Sequence, residues 1–419
     1  MAEPTPGAEQ TPRAALEVIA TVSAYEDAVA RIAAGTGPVA VDAERASGFK
    51  YSQRAYLIQV FRREAGTFLF DPPALLADGL DDLSALNAAI AGVEWVLHAA
   101  SQDLACLREV GLDPAAIFDT ELGARLAGLP RVGLGAVAEE LLGIHLAKEH
   151  SAADWSTRPL PQSWLVYAAL DVELLPDLRD KIGALLDEND KTEIARQEFS
   201  AVLERETVSR QEPWRRLSGM HTLKSTRQLA AARALWIARD DYAREIDTAP
   251  GRLVPDASLV VAAHALPTTK KDLAAIKEFT GRASRGQLDR WFDALQAGVA
   301  DPNPPALRVP SEGPPPPRLW VDRNPDADRR LKAARVAAGE KAAELDLPLE
   351  NLLTPELLRR LAWSPPEPVT PETIDAGLEA LGARPWQREM TAELIATAFV
   401  ESAFVEADQT APDAAPPAS

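Results

Sequence analysis

The stretch GPVAVDAE, residues 37–44, runs from a Gly-Pro break through a Val-rich apolar segment to two acids. A short apolar run bounded by turn residues reads as a buried β-strand. Side chains alternate along a strand, so Asp42 and Glu44 are expected on one face. Two more strand candidates follow closely, AYLIQVF (55–61) and GTFLFDP (66–72), with the spacing of antiparallel hairpins. A fourth apolar run, VEWVLHAA (93–100), leads into SQDLACL (101–107), which places Asp103 near the start of a helix that follows a strand at the edge of the sheet. The segment SWLVYAALDVELL (163–175) reads as a helix. Tyr167 and Asp171 are four apart and so share one of its faces. The order predicts an α/β domain over residues 18–205, a sheet with helices on both faces.

One strand, one strand-to-helix junction and one helix can thus aim four carboxylates at a single point. Taken singly, each residue has an ordinary reading. Asp42 and Glu44 suit a solvated strand end, Asp103 a helix N-cap, and Tyr167 a core aromatic. Taken together they suit divalent cations: Mg²⁺ and Mn²⁺ prefer carboxylate and water oxygens. Four carboxylates packed without metal repel, and some take up protons. Pockets for two cations are built for phosphodiester hydrolysis, with the tyrosine orienting or helping to deprotonate the attacking water.

At these residues the chain resembles ribonuclease D, in the tyrosine branch of the DEDD superfamily of 3′→5′ exonucleases. That family has Asp-x-Glu, a second Asp and Tyr-x-x-x-Asp in its three motifs. Here they fall on Asp42, Glu44, Asp103, Tyr167 and Asp171, and the flanks AYLIQVF, FDTELGARLAG (118–128) and DWSTRPLP (154–161) also match. The other branch has His five residues before the last Asp, where this chain has Val166. The resemblance implies a ribonuclease-H-like mixed sheet and a metal-dependent 3′→5′ exoribonuclease that releases nucleoside 5′-monophosphates with two divalent cations, Mg²⁺ or Mn²⁺. Asp42 would bridge the cations, Glu44 and Asp171 would complete the first, and Asp103 would hold the second. The implied substrate is RNA with a single-stranded 3′ end, such as a transfer RNA precursor. A DNA-directed exonuclease and a non-catalytic RNA-binding protein stand as alternatives.

After residue 205 the strand patterns stop. Residues 206–298 are helical and resemble the domain shared by helicases and ribonuclease D, the HRDC domain, at Trp214, Arg215, Leu235, Trp236, Arg239, Asp240, Ala243, Arg244 and Pro255. In its family this domain binds nucleic acid. Residues 299–318 are Pro-dense and read as a stiff linker. Residues 322–403 read as a second, diverged helical domain of the same kind, and 1–17 and 404–419 as disordered tails. The net charge of −19 runs against nucleic-acid binding, which favours basic surfaces. Residues 211–300, however, carry 14 Lys and Arg against 10 Asp and Glu, a local balance of +4. Candidate nucleic-acid contacts are Gln59, His98, Lys148, Trp155 and Arg158 near the cleft, and Arg215, Arg216, Lys224 and Arg227 on the helical domain. Asp119 is expected to cap a helix. The one cysteine, Cys106, reads as a small buried hydrophobe and excludes an intramolecular disulfide, as suits a reducing cytoplasm. Nothing resembles a signal peptide, zinc-ligand spacing or a phosphate-binding glycine loop. A monomer without a membrane span is expected.

Overall fold

The strand expected from GPVAVDAE is β2 (Thr36–Arg45), in a six-stranded sheet with β1 (Val18–Ile19), β3 (Ala55–Arg63), β4 (Gly66–Phe70), β5 (Trp95–Leu97) and β6 (Ile117–Asp119). The computed structural model describes residues 16–146, 152–205, 211–279, 281–309 and 313–404. The sheet order is β1-β4-β3-β2-β5-β6. β2, β3 and β4 form the antiparallel meander that the close spacing predicts. β5 and β6 extend the sheet parallel to β2, and β1 lies parallel to β4 on the other edge. The mixed sheet matches the expected fold class. β1 and β6 were not among the sequence's strand candidates.

The register of β2 decides where a site can form. It pairs with β3 along most of its length, including Asp42 opposite Gln59 and Glu44 opposite Leu57. It pairs with β5 only at Val39 and Ala40. The acidic end of β2 therefore runs past the end of β5 and opens a crevice beyond it. Open α/β sheets bind ligands at such strand ends. Valines and alanines of β2 are buried in the main core with Ile58, Val96, Leu107 and Ile182.

Two helical bodies follow, each with its own core. The first gathers Trp214, Leu235, Phe279 and Trp291, and the second Trp320, Leu331, Ile374 and Phe399. Their outlines correspond. Helix Thr226–Glu245 ends before Asp247, which takes a left-handed φ of 44°. A four-residue helix, Pro250–Leu253, and the helix Asp256–Ala265 follow. Helix Pro325–Glu344 likewise ends before Asp346 at φ 47°, and Leu349–Leu352 and Pro355–Trp363 come next. The Pro-dense stretch between the bodies is anchored: Arg215 donates to the Ala306 carbonyl at 3.0 Å, Arg233 pairs with Asp301, and Trp320 Nε1 donates to the Pro315 carbonyl at 2.6 Å. The second body shares the core of the sheet domain through Ala342, Leu347, Leu352 and Trp386. Trp386 Nε1 also donates to Glu198 at 2.7 Å. The expected tails lie outside the described residues apart from residues 16, 17 and 404.

Within the first helical body, helices Thr226–Glu245 and Leu288–Val299 touch backbone to backbone at Gly298. A Cβ there would stand 2.7 Å from the Ala230 carbonyl oxygen and 2.8 Å from the Ala231 Cα. Neither atom can swing aside, so Gly298→Ala is expected to destabilise this body by about 1–3 kcal/mol. A urea titration of the full chain, followed by tryptophan fluorescence, would show the loss. An unchanged midpoint would mean the helices can part without cost.

Candidate active site

Strand alternation puts Asp42 and Glu44 on one face at the free end of β2, and both line a cleft of about 530 Å³. Tyr167 and Asp171 reach the same cleft from the helix Gln162–Glu173. Carboxylate oxygens of Asp42, Glu44 and Asp171 lie within 4.8 Å of one another. Asp103 arrives from the junction after β5. It occupies the N-cap position of Leu104–Arg108 yet makes no side-chain cap bond, so its carboxylate serves the cleft instead of the helix. Asp103 adjoins Asp42, whose charge helps to raise it. Asp42 thus stands between Asp103 and the Glu44–Asp171 pair.

The junction that delivers Asp103 is held from behind. Ala99 sits in a left-handed conformation at φ 59°, unusual for a residue with a side chain. Asp119, at the end of β6, accepts the N–H groups of Ala99 and Ala100 at 3.0 and 2.9 Å and caps the next helix through Glu121 and Leu122 at 3.0 and 3.1 Å. One buried carboxylate therefore ties the strained turn to the neighbouring strand and fulfils the expected capping role.

Electrostatics confirm that the four acids crowd one another. Burial, then the Asp42, Asp171 and Asp103 charges, push the Glu44 carboxyl up to about 10. Burial and the Asp42 charge push Asp171 up to about 8. Asp42 and Asp103 are raised chiefly by burial. Tyr167, hydrogen-bonded to Asp171, is raised by burial and by the surrounding acids, so its phenol stays protonated. An all-oxygen set that resists ionising on its own fits hard divalent cations. Behind the cleft, Gln59 pairs with Asp42 across β2 and β3 and keeps two buried amide atoms without a hydrogen-bond partner.

Arg45 is a cleft residue that sequence reasoning missed. Alternation places it opposite to Glu44. The β2–β3 pairing slips between these residues, from Glu44 opposite Leu57 to Arg45 opposite Ala55, and such a slip re-aims a side chain. Arg45 lines the cleft with a guanidinium nitrogen 3.6 Å from Asp103. Phe49, Gln102 and Glu121 also line it and carried no signal in sequence.

The candidate substrate contacts divide. His98 lines the cleft. Thr120 Oγ1 donates to the Leu97 carbonyl, so His98 Nδ1 must donate to Thr120 at 2.9 Å, which leaves Nε2 as the acceptor. Burial holds this imidazole down to about 4, hence neutral. Trp155 is fully buried against Trp164, with ring centroids 5.2 Å apart, and is corrected to a core residue. Arg158 is corrected to a clamp: its guanidinium meets Asp71 at 2.5 Å and the carbonyls of Trp155, Thr157 and Tyr56 at 2.7–2.8 Å. Gln59 is buried and does not face the open cleft. Arg215 is tied to Glu212 at 2.7 Å and stacked on Trp214, whereas Arg216, Lys224 and Arg227 are exposed on the first helical body, away from the cleft lining. Lys148 lies outside the described residues. Cys106 is buried, its thiol pushed up to about 12 by burial, and donates to the Asp103 carbonyl at 3.1 Å. Among the described residues, no helix is long and apolar enough to cross a membrane.

A mixed sheet whose central strand ends in Asp-x-Glu, joined there by a second Asp and a Tyr-x-x-x-Asp helix, defines a 3′–5′ exonuclease. Residues 16–187 match the family model for 3′-5′ exonucleases, residues 228–295 that for the HRDC domain, and residues 313–399 that for a 3′ to 5′ exonuclease C-terminal domain. Ribonuclease D of Pseudomonas paraeruginosa is 30% identical over 311 residues, covering 73% of this chain and 77% of that protein. Ribonuclease D of Acidiphilium cryptum is 30% identical over 287 residues, covering 66% and 71%. Among solved structures, a protein from Bifidobacterium adolescentis superposes with a TM-score of 0.86 at 37% identity, covering 92% of this chain and 97% of that one. Escherichia coli RNase D shares the fold, with a TM-score of 0.67 at 24% identity over 92% and 99% of the two chains. The chain belongs to the ribonuclease D family and is a 3′–5′ exoribonuclease.

The crowded acids make stability depend on pH and metal together. A carboxyl whose folded pKa is raised stabilises the fold below its unfolded pKa, near 4, and loses that contribution as pH rises through the folded value. For Asp171 and Glu44 the loss extends through about 8 and about 10. The chelated protein should therefore melt lower at pH 8.5 than at pH 6. Added Mg²⁺ or Mn²⁺ should raise the melting temperature more at pH 8.5. Scanning calorimetry with and without chelator tests this, and a metal effect independent of pH would mean the acids are not mutually strained.

Proposed function

We propose that the cleft hydrolyses the 3′-terminal phosphodiester of single-stranded RNA with two divalent cations, Mg²⁺ or Mn²⁺, and releases a nucleoside 5′-monophosphate. The observation that carries this reading is the placement of Asp42, beside Asp103 on one side and close to Glu44 and Asp171 on the other. Glu44, Asp171 and Asp42 would hold one cation, and Asp103 with Asp42 the other. Paired cations in such a site supply charge stabilisation to the attacking and leaving oxygens of an in-line displacement.

The chain's own residues do the rest. Tyr167 stands beside Asp171 at the cleft, where its hydroxyl orients the attacking water or helps to deprotonate it. Asp171 accepts from that hydroxyl and fixes its direction. Arg45 offsets acidic charge beside Asp103 and offers a guanidinium to the phosphate. Asp119 holds the turn that presents Asp103. The corresponding outlines of the two helical bodies support reading residues 322–403 as a second copy of the HRDC-type fold. The exposed Arg216, Lys224 and Arg227 offer phosphate contacts that give affinity without sequence preference. A substrate with a folded body and a free 3′ tail, such as a transfer RNA precursor, suits a chain whose helical bodies flank the nuclease domain. The protein is expected to work as a cytoplasmic monomer.

A time course on a 5′-labelled RNA hairpin with a 3′ tail tests the reading, with Mg²⁺, Mn²⁺ or chelator and beside a DNA version. The tail should shorten one nucleotide at a time only with metal. Asp42→Asn and Asp171→Asn should lower the rate on the order of 10³-fold or more, and Tyr167→Phe about 10²-fold with metal-induced stabilisation retained. Near-wild-type rates in either Asp variant would remove that residue from the chemistry. A DNA rate equal to the RNA rate would move the substrate assignment to nucleic acid at large.

A further inference from the structure

We infer that the first helical domain builds part of the catalytic cleft, by clamping the segment Ala46–Arg54 that follows the catalytic strand. The inference rests on reading the cleft as the catalytic site.

This segment joins β2 to β3, and Ser47, Gly48 and Phe49 line the cleft within a few residues of Asp42 and Glu44. Its internal support is thin. Phe49 and Lys50 donate to the Ala46 carbonyl at 2.8 Å, and Ser47 donates to Gln53 at 2.8 Å. Gln53 donates to the Tyr51 carbonyl at 3.3 Å, and Ala46 and Phe49 pack against the nuclease cluster of Tyr56, Leu57 and Trp155. The polar contacts from outside the segment come from residues 240–252. The Ala249 N–H donates to the Phe49 carbonyl at 3.0 Å. Arg252 Nε donates to the Gly48 carbonyl at 2.8 Å, and its guanidinium lies 4.0 Å from the centre of the Phe49 ring. Asp247 accepts the Ser52 N–H at 2.9 Å and the Tyr56 hydroxyl at 3.3 Å, with Arg54 at 3.5 Å. Tyr51 donates to Asp240 at 3.0 Å and receives Arg244 at 3.1 Å.

Two features make this a built device. The segment's backbone is held at Gly48, Phe49 and Ser52, so what is fixed is the path of the chain and not one mobile side chain. The contacts also converge on the turn after Thr226–Glu245, where Asp247 takes its left-handed conformation. Asp tolerates that conformation better than most residues. The wall beside the carboxylates therefore owes part of its position to a domain that supplies none of them. Asp247 and Arg252 are positioning residues, and displacement of about 1 Å at a reacting centre costs on the order of 10²-fold in rate.

A domain that only grips RNA affects long substrates, whereas a domain that shapes the cleft affects every substrate. The full chain should be compared with Arg252→Ala, Arg252→Lys and Asp247→Asn on a 5′-labelled trinucleotide and on a tailed RNA hairpin. Arg252 is exposed, so its replacement leaves the fold intact, and Asn accepts the backbone conformation at 247. Arg252→Ala and Asp247→Asn should lower kcat on the trinucleotide about 10- to 100-fold. Affinity for the hairpin should stay within about twofold. Arg252→Lys, which keeps a donor for the Gly48 carbonyl, should recover part of the loss. Trypsin provides a readout independent of activity: Lys50 and Arg54 lie in the segment, and cleavage after them should accelerate in both damaging variants. Unchanged trinucleotide turnover with unchanged trypsin rates would overturn the clamp, as would a loss confined to hairpin affinity. If the wild-type chain shortened no RNA, the catalytic reading would fail by itself, and the trypsin rates would still decide whether the domain holds the segment.

Discussion

Four carboxylates that repel one another are the constraint on which the rest of this structure depends. Burial raises Asp42, Glu44, Asp103 and Asp171 together, and the Asp42 charge adds to it at the other three, so the site cannot hold itself together. Its geometry has to be imposed from outside. β2 carries two acids on a backbone paired with β3. The Asp119 carboxylate fastens the turn that delivers the third acid. The helix Gln162–Glu173 carries the fourth one turn beyond Tyr167. Each support lies on a different element, and this is why the site needs a whole sheet behind it. Cations would exchange the repulsion for coordination, but only if the protein has already put the oxygens in place.

What could be read in advance follows from period. Alternation paired Asp42 with Glu44, and the four-residue helical interval paired Tyr167 with Asp171. β2, β3 and β4 were equally legible because each has five or more residues of apolar or alternating pattern, and the three residues of β5 were legible through the longer apolar run VEWVLHAA around them. β1 and β6 have two and three residues, too few to show any period. Arg45 was hidden by a slip in strand pairing, an event with no signature in its own residues. Trp155 and Arg158 were misplaced for another reason. A loop rich in Pro and polar residues looks exposed in sequence, yet here Arg158 folds back onto Asp71 and three carbonyls, and Trp155 packs into a cluster with Tyr56, Leu57 and Leu165.

The two helical bodies meet the nuclease domain through corresponding turns. In the first, Asp247 and the residues after it engage the segment beyond β2. In the second, the turn at Asp346 receives Lys191 through its carbonyl at 3.3 Å, and Leu347 and Leu352 enter the nuclease core. The chemistry of the two contacts differs, polar in one and largely apolar in the other. Apolar burial gives a permanent junction, whereas exposed hydrogen bonds and ion pairs contribute little individually and act mainly by fixing direction. The second body thus reads as anchorage and the first as alignment.

The clamp on Ala46–Arg54 also bears on when the enzyme becomes an enzyme. The carboxylates and the tyrosine are all present once residue 171 has been made, but the wall beside them waits for Arg252. A chain emerging from the ribosome would therefore carry its clustered acids through a long interval before the cleft took its final shape. For a protein that degrades RNA and is born attached to a messenger, placing a support of the cleft so far downstream would delay full activity until synthesis is well advanced.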